Sequence, residues 1–198
     1  MLAQFERLTD DQWKVIKVFL PVKRKRTHDL RDVFEAIIWI TRTGAQWRNL
    51  DGSLPPRTAV YYYFYSGLKN GIIKSINCAL NEYERDKLGR EPTPTLGEVD
   101  SQSVKLTPMI CEFRGIDGNK KINGRKRQIL TDTLGRIWQA WVHPANEHDS
   151  PSGVHLLKMD QDEMDRLVKI IGDKAYRGTI VRACEELNIE FEVPKRPE

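Results

Sequence analysis

The sequence predicts an α+β chain in which a helical N-terminal half precedes a mixed sheet with helices. Three observations carry that expectation. Apolar residues recur at three- and four-residue steps through residues 1–88, a proline-bearing break fills residues 89–95, and short apolar runs bounded by turn residues follow from residue 96 to 198. A length of 198 residues suits one ordinary domain, or a small helical domain followed by an incomplete larger one, and the change of pattern at residues 89–95 favours the second.

In the first half, Thr9 is placed to cap a helix that starts in Asp10 and Asp11, acids suited to the positive end of a helix dipole. Trp13, Ile16, Val18, Phe19 and Leu20 give it a mostly amphipathic face, and Pro21 stops it. A second helix is expected over about residues 29–42, with Leu30, Val33, Phe34, Ile37 and Ile38 on one face and Gly44 as its stop. The turn-rich residues 49–56 separate it from a third helix carrying Tyr61, Tyr62, Tyr63, Phe64 and Tyr65, most of which are expected to pack inward because consecutive residues point around all sides of a helix. A fourth helix follows Gly71, near residues 72–87. Four short helices fit a helix-turn-helix reader of DNA, and they equally fit a plain helical bundle.

Beyond the break, residues 96–100 read as a strand leading into Ser101 to Val104, and residues 128–132 and 137–142 form a hairpin around the turn at 133–136. A helix over about residues 150–158, a strand at 168–173, a helix at 178–187 and a short strand at 190–193 complete the pattern. The order gives a mixed sheet with helices. Asp149 is the expected cap of the first of these helices.

The composition narrows the function classes. A hydrophobic share of 39% with five Trp, six Tyr and six Phe suffices for a core, and a charged share of 30% argues against a membrane protein. No signal-peptide pattern and no apolar run of membrane-spanning length is visible, so cytoplasmic residence is expected. Cys78, Cys111 and Cys184 are odd in number and far apart, which points to buried thiols and away from disulfides or zinc. The net charge of +4 matters because it is clustered, at Lys23, Arg24, Lys25 and Arg26 and again at Lys120, Lys121, Arg125, Lys126 and Arg127. Clusters of this kind suit a polyanionic partner, although each also reads as a solvated loop.

Asp100 and Asp173 each stand at the end of an expected strand, 73 positions apart. On neighbouring strands two such carboxylates converge at one sheet end and can hold a divalent cation. Bound metal then serves an in-line phosphoryl displacement without any His or Ser triad. Taken singly, an Asp at a strand end is more often a turn or helix cap.

Longer motifs surround these acids. Gly97-Glu98-Val99-Asp100-Ser101-Gln102-Ser103-Val104-Lys105, the basic block from Gly115 through Arg125-Lys126-Arg127 to Asp132-Thr133-Leu134-Gly135, Pro144-Ala145-Asn146-Glu147-His148-Asp149, Gly172-Asp173-Lys174-Ala175-Tyr176-Arg177-Gly178 and Val193-Pro194-Lys195-Arg196-Pro197-Glu198 occur in this order. Together with Leu8-Thr9-Asp10-Asp11-Gln12-Trp13, Arg42-Thr43-Gly44-Ala45-Gln46-Trp47-Arg48 and Thr58 to Phe64, they make the chain resemble bacterial insertion-sequence transposases of the insertion-sequence-5 group, in the DDE superfamily. The resemblance implies a ribonuclease-H-like catalytic domain, incomplete at its C-terminus, with Asp100 and Asp173 as catalytic and metal-binding acids for Mg²⁺ or Mn²⁺. It also implies a third acid, a Glu on a helix after the last short strand, which this sequence does not reach. Glu198 directly follows Pro197 with no helix to carry it inward, and Glu185 and Glu186 read as solvent-facing charges. Weak metal binding is therefore expected.

The implied partners are DNA at insertion-sequence ends and a homodimer or full-length transposase. Lys105, Lys120, Lys121, Arg125, Lys126 and Arg127, together with Lys23 to Arg26, are candidates to neutralise phosphates. Lys174 and Tyr176 stand close enough to Asp173 to touch a bound strand, though Tyr176 equally suits packing at a helix start. The expected function is DNA transposition by metal-dependent phosphoryl transfer, inactive or dependent on a missing C-terminal segment; the alternative is a DNA-binding inhibitor or relic.

Overall fold

In the computed structural model, which describes residues 7–20, 25–158 and 165–194, Thr9 opens helix α1 (Asp10–Lys17) with a reciprocal cap. Its hydroxyl accepts from the Gln12 N–H at 3.2 Å while Gln12 Oε1 accepts from the Thr9 N–H at 3.0 Å. Two donors that a helix start leaves unpaired are thereby satisfied. The helix ends earlier than its apolar pattern implied: Val18 is its C-cap and stands 71% exposed, whereas Leu20 still reaches the core.

Helix α2 (Leu30–Thr43) is capped by Asp29, which accepts from the Arg31 N–H at 2.7 Å. It stops at Gly44, whose φ of +65° is the left-handed conformation that glycine adopts without a Cβ clash. A single 3₁₀ turn (Trp47–Asn49) leads to α3 (Arg57–Lys69) and α4 (Ile72–Lys87). Two apolar clusters hold these helices together. One joins Ile16, Leu20, Leu30, Phe34 and Ile76, and the other joins Val33, Ala36, Ile37 and Val60. Glu35, 2% exposed, lies at 3.4 Å from Arg31 and 3.5 Å from Arg7, so its buried charge is paired.

The tyrosines of α3 depart from expectation. Val60, Phe64 and Gly67 supply its inward stripe, so Tyr61, Tyr62 and Tyr65 are 48%, 65% and 49% exposed. Tyr61 and Tyr65, one turn apart, stack outward with ring centroids 6.1 Å apart.

The chain divides into two compact units, Met1–Arg90 and Glu91–Glu198. The second is built on one sheet: β1 (Leu96–Lys105), β2 (Gly115–Asp117), β3 (Ile122–Asp132), β4 (Ile137–Pro144), β5 (Lys169–Gly172) and β6 (Glu190–Glu192). β1 pairs antiparallel with β3, and β3's other edge is shared by β2 and β4, also antiparallel. On its other side β1 pairs in parallel with β5, and β5 in parallel with β6. The order β4, β3, β1, β5, β6 is the ribonuclease-H-like arrangement that the resemblance implies.

Three strand assignments are longer or newer than the sequence suggested. β1 runs on to Lys105, so Asp100 lies in its middle and not at its end. β3 begins at Ile122, and the basic block that read equally as a loop is a strand whose side chains alternate between the two faces. β2 had no sequence counterpart. Asp117 fixes it: buried at 5% exposure, its carboxylate accepts from the Ser103 hydroxyl and from the Asn119 and Lys120 N–H groups at 2.9 and 3.0 Å.

One face of the sheet is covered by α5 (Asp149–Gly153), the 3₁₀ turn Val154–Leu157 and α6 (Thr179–Glu186). The core there joins Val99, Leu130, Trp138, Leu156, Ile170, Tyr176, Ile180 and Cys184. Leu130 and Ile170 are fully buried, each contributing about 1.5–3 kcal/mol by leaving water. The cap of α5 differs from expectation: His148 is the N-cap, its Nδ1 accepting from the Ser150 N–H at 3.4 Å, and Asp149 instead faces Lys126. Among the thiols, Cys78 and Cys184 are buried as expected, and Cys111 is exposed. No described helix is long and apolar enough to cross a membrane.

Candidate active site

The sheet's other face is open, and its period-two register decides what is on it. Val99 pairs with Gly172 at the last rung of the parallel β1–β5 ladder. Asp100 and Asp173 are therefore the next residues on two adjacent strands, at the carboxyl end of β5. Gly172 is closely approached: a Cβ there would lie 2.7 Å from Phe191 Cζ and 2.7 Å from Val99 Cγ2, so a larger residue would force these side chains or β5 to shift just before Asp173. Asp173 leaves the strand extended and caps the 3₁₀ turn Lys174–Tyr176, its Oδ1 accepting from the Ala175 N–H at 2.9 Å. Its other oxygen makes no hydrogen bond among the described residues.

Both acids are exposed and line a cleft of about 540 Å³, with Glu98, Thr131, Lys174 and Pro194 on its walls. Asp100 faces Ile129 across the ladder and has no ion-pair partner among the described residues. Two carboxylates with free oxygens at the mouth of a solvent-filled cleft fit a hard divalent cation that keeps several waters. Among the described residues no group of three or more His, Cys, Asp or Glu side chains is gathered for a metal. Glu185 and Glu186 are exposed, as expected, and Glu198 lies outside the described residues.

The basic candidates separate. Lys126 is 6% exposed on the covered face, where it pairs with Asp149 Oδ1 at 3.1 Å and donates to the Glu147 carbonyl at 3.0 Å. It is a buried structural cation and not a surface contact, because β3's alternation turns it away from solvent. Tyr176 is likewise withdrawn. At 1% exposure it packs in the core behind the acids and cannot touch a strand laid in the cleft. Burial raises its phenol pKa, and the carboxylates of Asp149, Asp100 and Asp173 add to the shift, so the group stays neutral.

Arg125 and Arg127 stand on the open face with Asp100. Arg127 donates from Nε and Nη2 to Gln102 Oε1, and Arg125 from Nε and Nη2 to the Glu112 carbonyl. Lys105 and Lys121 are exposed, and Lys120 is exposed with its ammonium 3.4 Å from the Ser101 carbonyl. Lys174 is exposed at the cleft beside Asp173. In the N-terminal unit Lys25 is exposed, Arg26 Nε donates to the Tyr63 hydroxyl at 3.0 Å, and Lys23 and Arg24 lie outside the described residues. Gln102 and Glu98 were missed as site residues, although their two-residue steps from Asp100 along one strand place them on its face.

Residues 91–196 match the family model for the transposase DDE domain, and residues 8–77 match the one described as "Putative transposase of IS4/5 family". A relative from Sinorhizobium fredii (strain NBRC 101917 / NGR234), "Uncharacterized protein y4sN", is 32% identical over 78 residues, 37% of this chain and 62% of that protein. The chain thus matches less than two thirds of that relative's length. Among solved structures, the piggyBac transposase synaptic complex with hairpin DNA is 15% identical, covering 98% of this chain and 43% of that one at a TM-score of 0.40. The simian T-cell lymphotropic virus intasome in complex with PP2A regulatory subunit B56 gamma is 19% identical, covering 52% of this chain and 32% of that one at 0.36.

Proposed function

This chain belongs to the transposase DDE domain family, whose model spans residues 91–196, and on that premise we propose that it serves DNA transposition by metal-dependent phosphoryl transfer at insertion-sequence ends. The observation that carries the reading is the pair Asp100, on β1, and Asp173, directly after the adjacent parallel β5, both open to one cleft. These two carboxylates would hold a divalent cation such as Mg²⁺ or Mn²⁺. When bound, such a cation supplies Lewis-acid stabilisation to the phosphoryl group and activates the attacking oxygen.

The chain's own residues do the rest. Asp173 is held in place by its capping bond to the Ala175 N–H, and Asp100 by its central place in β1. Lys174, on the same cleft, offsets phosphate charge next to the acids, with Lys105, Lys120, Lys121, Arg125 and Arg127 extending the positive field. Residues 1–88 act as the DNA-reading part, with Lys25 among its exposed cations, residues 89–95 as linker and residues 96–198 as the catalytic part.

Two acids make a weak site. Cleavage is expected to need a third carboxylate from outside the described residues, whether on this polypeptide, a second copy or a full-length transposase. A second reading is that the chain binds DNA without cutting it, through the exposed cations Lys105, Lys120, Lys121 and Lys174. Nicking of supercoiled plasmid in Mg²⁺ tests both. Little or no nicking by the isolated chain, restored by a longer transposase polypeptide, fits the proposal. Robust nicking by the chain alone that vanishes in Asp100→Asn and Asp173→Asn would show that no outside acid is needed. Nicking that survives both substitutions would place the chemistry elsewhere.

A further inference from the structure

Three consecutive cations on β3 have different neighbours, and the difference points to a purpose. Lys126, on the covered face, is neutralised by a carboxylate. Arg125 and Arg127, on the open face, are each held through Nε and Nη2 by a neutral oxygen, the Glu112 carbonyl and the Gln102 side-chain amide. Among the described residues neither arginine has a carboxylate partner. Gln102 and Arg127 are directly opposite in the β1–β3 ladder, and the next pair on the same face is Asp100 and Ile129, both at the cleft. Two residues along a strand is roughly 6.6 Å, so Gln102, which holds the Arg127 guanidinium, stands one step along β1 from Asp100.

We propose that Gln102 is a positioning residue for a phosphodiester-binding row formed by Arg127 and Arg125 beside the acids. An amide oxygen can fix a guanidinium fork by accepting two of its five donors, and it leaves the full charge and the outer N–H groups for a phosphate. A glutamate at the same place would fix the fork equally well and cancel its charge. The ligand is a phosphodiester segment of the strand whose neighbouring phosphate lies over Asp100 and Asp173. This rests on the reading of those acids as acting on DNA.

The test uses the full chain with a labelled duplex oligonucleotide, fluorescence anisotropy over a range of salt concentrations, and EDTA to remove metal. Arg127→Ala is expected to lower the slope of log affinity against log salt by about 0.9, the loss of one phosphate contact. Gln102→Glu is expected to reproduce that change with an unchanged or raised melting temperature, because its hydrogen bonds survive. Gln102→Ala should keep the slope and weaken binding severalfold, as the charge remains and its placement is lost. In the Gln102→Ala, Arg127→Ala double variant the losses should not add, because Gln102 acts only through the Arg127 guanidinium. Wild-type affinity and slope in Gln102→Glu, or additive losses in the double variant, would overturn the proposal. Mn²⁺ binding measured on Asp100→Asn separates the premise: unchanged Mn²⁺ binding there would fail the reading of the acids while leaving the arginine row intact.

Discussion

Lys126→Met removes the ammonium from a pair whose side chains are only 7% and 16% exposed and whose charged atoms are 3.1 Å apart. The substitution leaves Asp149 without its cation on the covered face and the Glu147 carbonyl without a donor at 3.0 Å. Breaking one side of such a pair costs about 3–5 kcal/mol, because the surviving charge stays buried. At a urea dependence of about 2 kcal/mol per molar, the unfolding midpoint should fall by roughly 1.5–2.5 M. The assay is urea unfolding followed by tryptophan fluorescence, with Trp138, 2% exposed in the same unit, as the internal reporter. Adding Asp149→Leu should recover most of the loss, since an apolar pair of similar volume needs no compensation. A cost below about 1 kcal/mol, the range of exposed ion pairs, would refute the placement of Lys126 under the sheet.

The acid side of the stability profile should have two steps. Desolvation holds the His143 pKa below its ordinary 6.5, and its geometry suits the neutral ring, with Nδ1 donating to the Pro144 carbonyl at 2.9 Å and Nε2 accepting from Gln128 at 3.1 Å. Its contribution is complete above pH 6.5 and is lost as pH falls towards the folded value, which His143→Gln should flatten in a melting-temperature profile. Asp117 is lowered from 3.8 to about 2, first by the Ser103 hydroxyl and then by the Lys120 N–H, so its contribution is complete above pH 3.8 and lost between there and about 2. Ser103→Ala should cost about 1.5–3 kcal/mol at neutral pH, read by urea unfolding, and less in the most acidic samples. Gly172→Ala should cost about 1–3 kcal/mol and weaken Mn²⁺ binding as well, because relief of the contacts with Phe191 and Val99 moves β5 and Asp173 with it; a loss of stability with unaltered Mn²⁺ binding would uncouple the glycine from the acids.

Much of the fold was legible because local signals agreed with the final packing. Thr9 and Gly44 marked helix ends by chemistry that does not depend on tertiary contacts, and α4 has the bounds its periodicity suggested. The acids were legible through the runs before them, Leu96 to Val99 and Val168 to Gly172, which read as strands on their own. The first half of β3 was not legible, because Arg125, Lys126 and Arg127 look uniformly solvated. Their two-residue alternation is invisible until Asp149, 23 positions beyond Lys126, is seen to bury one of them. Tyr176 misled in the opposite direction. Its nearness to Asp173 in sequence suggested the cleft, yet the turn that Asp173 caps sends the ring to the covered face. β2 depended on Asp117 meeting Ser103, 14 positions earlier on β1, a contact that residues 115–117 do not announce by any strand pattern of their own.

In the proposed function Asp100 and Asp173 share one divalent cation, which Mn²⁺ titration followed by electron paramagnetic resonance measures. Weak, saturable binding is expected, abolished by either Asp100→Asn or Asp173→Asn while the melting temperature of the metal-free protein stays within a few degrees of wild type. Mn²⁺ binding of unchanged strength in both variants would contradict a shared site.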